Sequence, residues 1–221
     1  MNQTAHLDWR DGKVPVSKHF DDPYYSLDDG RAETVFVYLG GNQLPERFVP
    51  GFHIAELGFG TGLSALLAWQ AWREAGHQTQ LHLTSFELYP MTAGDRERAL
   101  APWPDLQELA APMAEALSTS NRFETPTFKL TVIEGDARQT LPSWQGSADA
   151  WFLDGFSPAK NPELWDPDLL KEVGAHTNPG GTCATYTAAG AVRRALAKAG
   201  FDVKRTQGFG RKRHMTVGKM P

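Results

Sequence analysis

The alternation of predicted strands and helices after residue 51 limits the possible folds more than any other feature of the sequence. Short runs rich in β-branched and aromatic residues occur at 52–57, 81–87, 128–133, 148–153 and 182–186. Runs with a helical pattern separate most of them, at 63–75, 92–100, 167–175 and 188–199. Strands that alternate with helices form βαβ units, so we expect a parallel sheet covered by helices.

The last two predicted strands, at 201–206 and 214–218, break this alternation. Only a short basic turn separates them, so we expect them to pair antiparallel. The sequence therefore predicts a Rossmann-like α/β fold with a mostly parallel seven-stranded sheet that ends in an antiparallel hairpin. The segment 102–127 contains four prolines and is predicted to be a long loop with room for a helix at 106–117.

The first 50 residues differ in character from the rest, because they combine aromatic residues, acids and turn formers. The run TVFVYL at 34–39 is β-branched and aromatic, which predicts a strand. We therefore divide the chain into a small β-containing appendage at 1–50, on the substrate side, and a main domain at 51–221.

Charge and cysteine content exclude several classes of protein. The net charge of −4 argues against a nucleic-acid binder on average, although six Lys or Arg and only Asp202 as an acid give residues 200–221 a net charge of +5. The single cysteine, Cys183, excludes a disulfide framework and a cysteine-based zinc site. No membrane-spanning run and no signal peptide near Met1 are visible, so we expect a cytoplasmic protein.

A glycine-rich turn at 56–62 (ELGFGTG) lies where the first strand of the main domain becomes a helix. Glycines at such a turn let the backbone approach a ligand closely. Their G-x-G-x-G spacing does not match the dinucleotide fingerprint, and no Gly-Lys-Ser/Thr follows to make a P-loop. Glu56 before the turn would repel a pyrophosphate but would attract a cationic amino group.

Three further acids follow the ends of successive strands: Glu87, Asp136 and Asp154. Ligands of open α/β sheets bind at the carboxyl ends of the strands. A carboxylate at Glu87 is placed to accept the hydroxyls of a ribose, and Asp136 with Ala137 to face an adenine. Together with Glu56 they describe a pocket for a phosphate-free nucleoside joined to a cationic amino acid. S-adenosylmethionine has this chemistry, and the pattern resembles the class I methyltransferases over about 170 residues.

The stretch 153–163 (LDGFSPAKNPE) is predicted to be a structured loop over the sulfonium methyl. Methyl transfer requires a nucleophile in line with that methyl and a group that accepts its proton. Asp154 is the candidate, because its carboxylate can orient an amine and favour the neutral form. A purely structural loop that caps the helix at 167–175 is the alternative.

Four segments resemble the tRNA 5-(aminomethyl)-2-thiouridine methyltransferases, which occur as the N-terminal half of the bifunctional enzyme MnmC and as a free-standing form. They are FDDPYYSLDDGRAET at 20–34, ELGFGTGLSALLAW at 56–69, DGFSPAKNPELW at 154–165 and GFGRKRHM at 208–215. The resemblance implies methylation of the primary amine of 5-aminomethyl-(2-thio)uridine at the tRNA wobble position, with S-adenosylmethionine and without metal or flavin.

The resemblance also implies roles for particular residues. Asp154 would be the catalytic residue. The cofactor would be held by Glu56, Gly58, Gly60, Thr61, Glu87, Asp136, Ala137 and Asp154. Substrate or tRNA would be contacted by Tyr24, Tyr25, Phe156, Lys160, Asn161, Arg211, Lys212 and Arg213. Among these, Tyr24, Tyr25 and Phe156 are candidates to stack on a flipped base, and the basic hairpin to bind phosphates.

Two departures from the family pattern are visible. His214 stands where the family stretch usually has Glu, which puts a substrate role of that acid in doubt. The flavin-dependent oxidase half of the bifunctional enzyme is not expected here, so another protein would supply the aminomethyl base. The alternatives to a tRNA enzyme are a small-molecule amine methyltransferase, an aminopropyltransferase, or a catalytically inactive, RNA-binding relative.

Overall fold

The computed structural model describes residues 4–221, so the first three residues, part of the segment inspected for a signal peptide, lie outside the described residues. The strands are β1 (Leu7–Arg10), β2 (Val14–Ser17), β3 (Asp22–Pro23), β4 (His53–Leu57), β5 (Leu81–Glu87), β6 (Arg122–Glu124), β7 (Phe128–Glu134), β8 (Ala148–Leu153), β9 (Thr177–Thr185), β10 (Asp202–Gln207) and β11 (His214–Lys219). The α-helices are α1 (Gly30–Thr34), α2 (Leu63–Glu74), α3 (Ala93–Leu100), α4 (Gln107–Leu117), α5 (Ala137–Thr140), α6 (Pro167–Ala175) and α7 (Gly190–Lys198).

Within residues 4–221, the main sheet has eight strands in the order β10-β11-β9-β8-β4-β5-β7-β6. The five central strands from β9 to β7 are parallel, and β11 pairs antiparallel with both β9 and β10. The predicted α/β fold with a terminal antiparallel hairpin is therefore confirmed. The additional strand, β6, pairs antiparallel with β7 inside the segment predicted as a loop, which also contains α4.

The order of the strands places a switch point between β4 and β8. The chain moves from β4 outward through β5 and β7, and then returns to build β8 and β9 on the other side of β4. The register aligns Leu57 at the end of β4 with Phe86 on β5 and Leu153 on β8. The residues that follow these strands therefore meet at one edge, where ligands of such sheets bind.

The prediction of a strand at 34–39 is wrong. Asp29 caps α1 by accepting a hydrogen bond from Ala32 N–H at 2.9 Å, and the helical path continues as a π-helical turn over Val35–Leu39. This turn buries Val37 and Tyr38 in the core, where the Tyr38 ring lies 5.6 Å from that of Phe152. β-propensity is a weak preference that such packing overrides.

Before this helical segment, β1, β2 and β3 form a small antiparallel sheet, which confirms the β-containing N-terminal region. After it, the buried side chain of Asn42 forms hydrogen bonds to two strands of the main sheet. Its amide donates to the Trp151 carbonyl at 3.2 Å and accepts from the Thr182 hydroxyl at 2.6 Å. The boundary at residue 50 stays a prediction, and residues on its N-terminal side contribute to the main core.

In the described part of the chain, none of the helices combines the length and the apolar character that crossing a bilayer requires.

Candidate active site

A cavity of about 720 Å³ lies at the carboxyl ends of β4, β5, β7 and β8. Its volume is in the range of pockets that hold small ligands. Most of the side chains and glycines predicted to form the site line it: Tyr24, Tyr25, Gly58, Gly60, Thr61, Glu87, Asp136, Ala137, Asp154, Phe156, Asn161, Arg211 and Lys212. The structure therefore brings both the predicted cofactor and substrate residues together around one space.

Three predicted residues, Glu56, Lys160 and Arg213, do not line the cavity. Glu56 is fully buried on β4 beneath the glycine turn, and its Oε2 accepts a hydrogen bond from Ser85 at 2.7 Å. Burial raises the pKa of this carboxyl well above its ordinary value, whereas the Ser85 hydrogen bond lowers it. Glu56 thus supports the turn from below, and its contact with a ligand stays a prediction.

Lys160 and Arg213 lie outside the cavity for different reasons. Lys160 Nζ lies 3.1 Å from Asp21 Oδ2 and 3.8 Å from Asp22 Oδ1, so it ties the 154–165 loop to the N-terminal region. Arg213 is exposed on the turn between β10 and β11, with its carbonyl accepting a hydrogen bond from Gly208. Their roles toward tRNA stay predictions.

The backbone of the glycine turn uses its own N–H groups. Gly58 N–H donates to the Phe86 carbonyl at 2.9 Å, Gly60 N–H to Glu87 Oε2 at 2.8 Å, and Gly62 N–H to the Phe59 carbonyl at 2.9 Å. Turns that cradle phosphates present free N–H groups to the ligand. This turn is therefore suited to a ligand without phosphates.

Glu87 at the end of β5 faces the cavity while its carboxylate holds the turn. Its Oε2 accepts from Gly60 N–H, and its Oε1 accepts from Tyr89 N–H at 2.7 Å. Burial raises the pKa of Glu87, and these N–H groups together with Arg96 act in the opposite direction. Each carboxylate oxygen has a second lone pair, so Glu87 can accept further hydrogen bonds from ligand hydroxyls.

Asp136 begins α5, and its neighbour Ala137 is buried against the cavity. The Asp136 carboxylate accepts from the backbone N–H of Arg138 at 2.9 Å and forms an ion pair with its guanidinium at 2.6 Å. The hydrogen bond from that guanidinium lowers the pKa of Asp136. The carboxylate is therefore an ionised helix cap at the cavity wall, and its predicted contact with adenine is untested.

Asp154 follows β8, with its backbone N–H donating to the Leu57 carbonyl at 3.0 Å. Burial raises the pKa of its carboxyl to about 7, and Glu33 contributes in the same direction. The hydrogen bond from the Tyr38 hydroxyl and the charge of Lys212 lower it. A carboxyl with a pKa near neutrality is suited to accept a proton at physiological pH.

Aromatic rings form one wall of the cavity. The Phe156 ring lies 4.8 Å from Phe20 and 4.9 Å from Tyr24, centroid to centroid. Tyr25 is held differently, because its hydroxyl donates to the Ala99 carbonyl at 2.9 Å and its ring contacts Trp103. Tyr24 and Phe156 are thus the better-placed candidates for stacking on a base.

The predicted structured loop carries Asp154 and Phe156 and is anchored along its length. Ser157 N–H donates to Asp22 Oδ2 at 2.8 Å, and Trp165 Nε1 donates to the Phe156 carbonyl at 2.7 Å. Helix α6 is capped by Asp166, beyond this loop. Capping is therefore not the role of residues 154–163.

Sequence reasoning missed several cavity residues, among them Glu33, Tyr38 and Tyr186. Glu33 Oε1 lies 2.7 Å from Lys212 Nζ, and this ammonium lies 4.3 Å from the centre of the Tyr186 ring. Glu33 lies within the motif at 20–34 that resembles the family. No local pattern indicates its role, because its partner Lys212 is 179 positions away in sequence. Across residues 4–221, no cluster of His, Cys, Asp and Glu has the arrangement of a metal site.

Comparison with known proteins agrees with this geometry. The family model described as S-adenosyl-L-methionine-dependent methyltransferase matches residues 104–221. The bifunctional protein MnmC of tRNA 5-methylaminomethyl-2-thiouridine biosynthesis from Stutzerimonas stutzeri (strain A1501) is 44% identical over 99% of this chain and 35% of its own length. Its counterpart from Ectopseudomonas mendocina (strain ymp) is 45% identical over 97% of this chain and 34% of its own. The chain thus spans about a third of these curated relatives.

Among solved structures, MnmC2 from Aquifex aeolicus superposes with a TM-score of 0.80 at 28% identity, covering 99% of this chain and 72% of that one. A precorrin-6y C5,15-methyltransferase from Geobacter metallireducens shares the fold alone, with a TM-score of 0.50 at 13% identity, over 89% of this chain and 99% of that one. These matches confirm the resemblance found in the sequence motifs. The chain belongs to the family of S-adenosyl-L-methionine-dependent methyltransferases.

Proposed function

We propose that the protein methylates the primary amine of 5-aminomethyl-(2-thio)uridine at the wobble position of tRNA, giving 5-methylaminomethyl-(2-thio)uridine. The observation that carries the proposal is the Asp154 carboxyl, which has a pKa of about 7 and shares one cavity with the glycine turn and Glu87. The names of the MnmC relatives support the choice of substrate, since they refer to biosynthesis of the same methylated nucleoside.

The donor set of the cavity fits S-adenosylmethionine. The N–H groups of Gly58, Gly60 and Gly62 are already used within the protein, so these three glycines offer no donors to a pyrophosphate. Glu87 would hold the ribose hydroxyls, and Asp136 with Ala137 would lie at the adenine edge. When bound, this cofactor supplies a methyl group on a positively charged sulfur.

Asp154 has two tasks in the proposed reaction. Its carboxylate accepts a hydrogen bond from the protonated form of the substrate amine and takes one proton from this ammonium group, so that the neutral amine has a free nitrogen lone pair. Asp154 thereby leaves the nitrogen free to receive the methyl group that the bound cofactor would supply, with the electron pair of the carbon–sulfur bond remaining on sulfur. Orientation and proton removal are the contributions that a protein makes to such a transfer.

The aromatic wall and the basic turn account for the RNA part of the substrate. A wobble base that is flipped out of its stack requires a face to stack on, and Tyr24 and Phe156 offer one beside Asp154. Arg211 lies at the cavity mouth with its side chain 93% exposed, so it can reach a phosphate. We further propose that a separate activity supplies the aminomethyl group and that the reaction takes place in the cytoplasm.

Nucleoside mass spectrometry tests this function. Bulk tRNA that carries 5-aminomethyl-2-thiouridine is incubated with the protein and S-adenosylmethionine, and then digested to nucleosides. We expect the mass of one methyl group to appear on that nucleoside, and no change on tRNA that carries 2-thiouridine instead. Absence of the methylated product would refute the proposal. Methylation of small amines with no preference for tRNA would support a small-molecule methyltransferase instead.

A further inference from the structure

Lys212 belongs to the basic turn, yet its side chain also lines the cavity and forms an ion pair there. Lys212 Nζ lies 2.7 Å from Glu33 Oε1 and 4.3 Å from the centre of the Tyr186 ring. Its charge also acts on Asp154, because it lowers the pKa of that carboxyl. A primary ammonium group of the protein is therefore held by one carboxylate and over an aromatic face, in a cavity that a second carboxylate, Asp154, also lines.

This arrangement is a general recognition site for an ammonium group. Carboxylates form charge-assisted hydrogen bonds with ammonium, and the face of an aromatic ring attracts a cation. The substrate of the proposed reaction carries the same chemical group, an unbranched primary amine. The place that Lys212 Nζ occupies is thus chemically suited to the substrate amine, and Lys212 lines the same cavity as Asp154.

The two partners of this ion pair differ in exposure. The Lys212 side chain is 47% exposed, whereas the Glu33 side chain is only 11% exposed. Lys212 can swing into water, where its charge is solvated. Glu33 is fixed on α1, which Asp29 caps, and an unpaired carboxylate at this depth is unfavourable. Glu33 therefore requires a replacement cation whenever Lys212 leaves.

We propose that Glu33 is an amine-binding residue, and that the substrate ammonium displaces Lys212 from the Glu33 carboxylate when tRNA binds. The proposal rests on the proposed function and adds a second carboxylate to its site. The incoming ammonium lies between Glu33 and Asp154 and gives one proton to Asp154, while Glu33 keeps its negative charge. In the absence of substrate, the Lys212 ammonium group occupies this position and keeps the Glu33 carboxylate paired.

The test measures binding of the amine alone, without S-adenosylmethionine. Two anticodon stem-loop RNAs are compared by fluorescence anisotropy, one with 5-aminomethyl-2-thiouridine and one with 2-thiouridine at the wobble position. We divide the Kd of the 2-thiouridine RNA by the Kd of the aminomethyl RNA. This Kd ratio isolates the contribution of the amine, because both RNAs share the same phosphate contacts. In the unaltered protein we expect the aminomethyl RNA to bind more tightly.

The proposal predicts that substitutions of Glu33 and of Lys212 change this Kd ratio in opposite directions. Glu33→Gln removes the negative charge and reduces the Kd ratio about tenfold, toward one. Lys212→Met removes the competing cation and increases the ratio about two- to fivefold, as expected for a partly exposed ion pair. Glu33→Asp keeps the charge and gives an intermediate ratio, which serves as a second measurement if Glu33→Gln does not fold. Calorimetry with S-adenosylmethionine verifies that each variant keeps its cofactor site.

A structural role of the pair gives a different result. If the ion pair only fastens the turn, Glu33→Gln and Lys212→Met change the ratio in the same direction, and the inference is overturned. It is also overturned if the unaltered protein methylates the tRNA but Glu33→Gln leaves the ratio unchanged. Failure of the proposed function is recognised separately, because the unaltered protein then neither methylates the tRNA nor distinguishes the two RNAs.

Discussion

The backbone carbonyl oxygen of Asp154 occupies the space that a Cβ atom at Gly58 would need. Gly58 also has a φ of +89°, which side chains disfavour. Because Asp154 N–H bonds to Leu57 and Gly58 N–H bonds to Phe86, three strand ends are joined at this point. The glycine turn therefore fixes the position of Asp154, the proposed proton acceptor.

Gly58→Ala is expected to weaken both the fold and the site. The added methyl group must push the Asp154 carbonyl away, at a cost of about 1–3 kcal/mol beyond the strain of a positive φ. Gly51→Ala is the matched control, because Gly51 has a φ of +81° and open space around the position of a Cβ. Thermal unfolding and cofactor calorimetry compare the two. Equal losses of stability and affinity would show that the contact with Asp154 has no influence.

Glu87→Gln should lower the affinity for S-adenosylmethionine at least about tenfold. The amide offers only one acceptor oxygen, so its NH2 group faces the N–H of either Gly60 or Tyr89 and a buried hydrogen bond is lost. The control is Glu134→Gln, since Glu134 pairs with Glu87 in register on β7 but is exposed and outside the cavity. Isothermal calorimetry measures both. An unchanged Kd for Glu87→Gln would remove it from the cofactor site.

The pH dependence of catalysis should follow Asp154. Burial holds its pKa near 7, so the carboxylate form increases as the pH rises through 7, and kcat/KM is expected to rise with it. Asp154→Asn should reduce kcat about a hundredfold or more and abolish this dependence, with little change in cofactor affinity. Steady-state rates with tRNA between pH 5.5 and pH 8.5 test this. A flat profile in the unaltered protein would exclude Asp154 as the proton acceptor.

The same carboxyl should reduce the stability of the fold at alkaline pH. Its pKa is near 7 in the folded protein and about 3.9 in an unfolded chain, so the unfolded state binds fewer protons between these values. The resulting penalty is absent at low pH, grows as pH rises from about 4, and is complete above about 7. Asp154→Asn should therefore stabilise the protein at pH 8 by about 1–3 kcal/mol, and less as the pH approaches 4. Asp202→Asn, which removes an exposed carboxyl from β10, should show no such gain.

The basic turn should contribute a salt-dependent part of tRNA binding. Arg211→Ala combined with Arg213→Ala removes two exposed charges beside the cavity mouth. We expect a several-fold loss of affinity and a decrease of about one to two in the slope of log K against log salt. Arg122→Ala with Lys129→Ala removes two charges at the opposite edge of the sheet and is the control. Equal effects of the two pairs would mean that the turn is not a specific contact.

Much of this site was predictable because it follows from the alternation of strands and helices. Once β4, β5 and β8 are known to be parallel neighbours, the residues after them must meet at one edge, and these are Gly58, Glu87 and Asp154. The spacing of the glycines then fits a dinucleotide poorly, and the absence of a following Gly-Lys-Ser/Thr excludes a P-loop. Local sequence is sufficient here because parallel neighbouring strands place the residues at their carboxyl ends side by side.

Other parts of the site depend on contacts that no local pattern encodes. The run at 34–39 has the composition of a strand, but Tyr38 becomes helical because its ring packs on Phe152 of a distant strand. Nothing in the sequence distinguishes Glu33 from the other acids. Its ion pair with Lys212, on a turn that is distant in sequence, is seen only in the structure. The same holds for Lys212, since a basic run does not indicate which of its side chains lines the cavity and pairs with an acid.

The order of strands in the hairpin has a consequence for biosynthesis. Strand β11 lies between β9 and β10, so within the described sheet β10 is attached only through β11. A nascent chain emerges from the ribosome with β10 first, and this strand has no partner until translation has delivered β11. Lys212 lies in the connection between the two strands. The side of the cavity that Lys212 lines therefore forms only after β11 has been synthesised and has paired with β9 and β10.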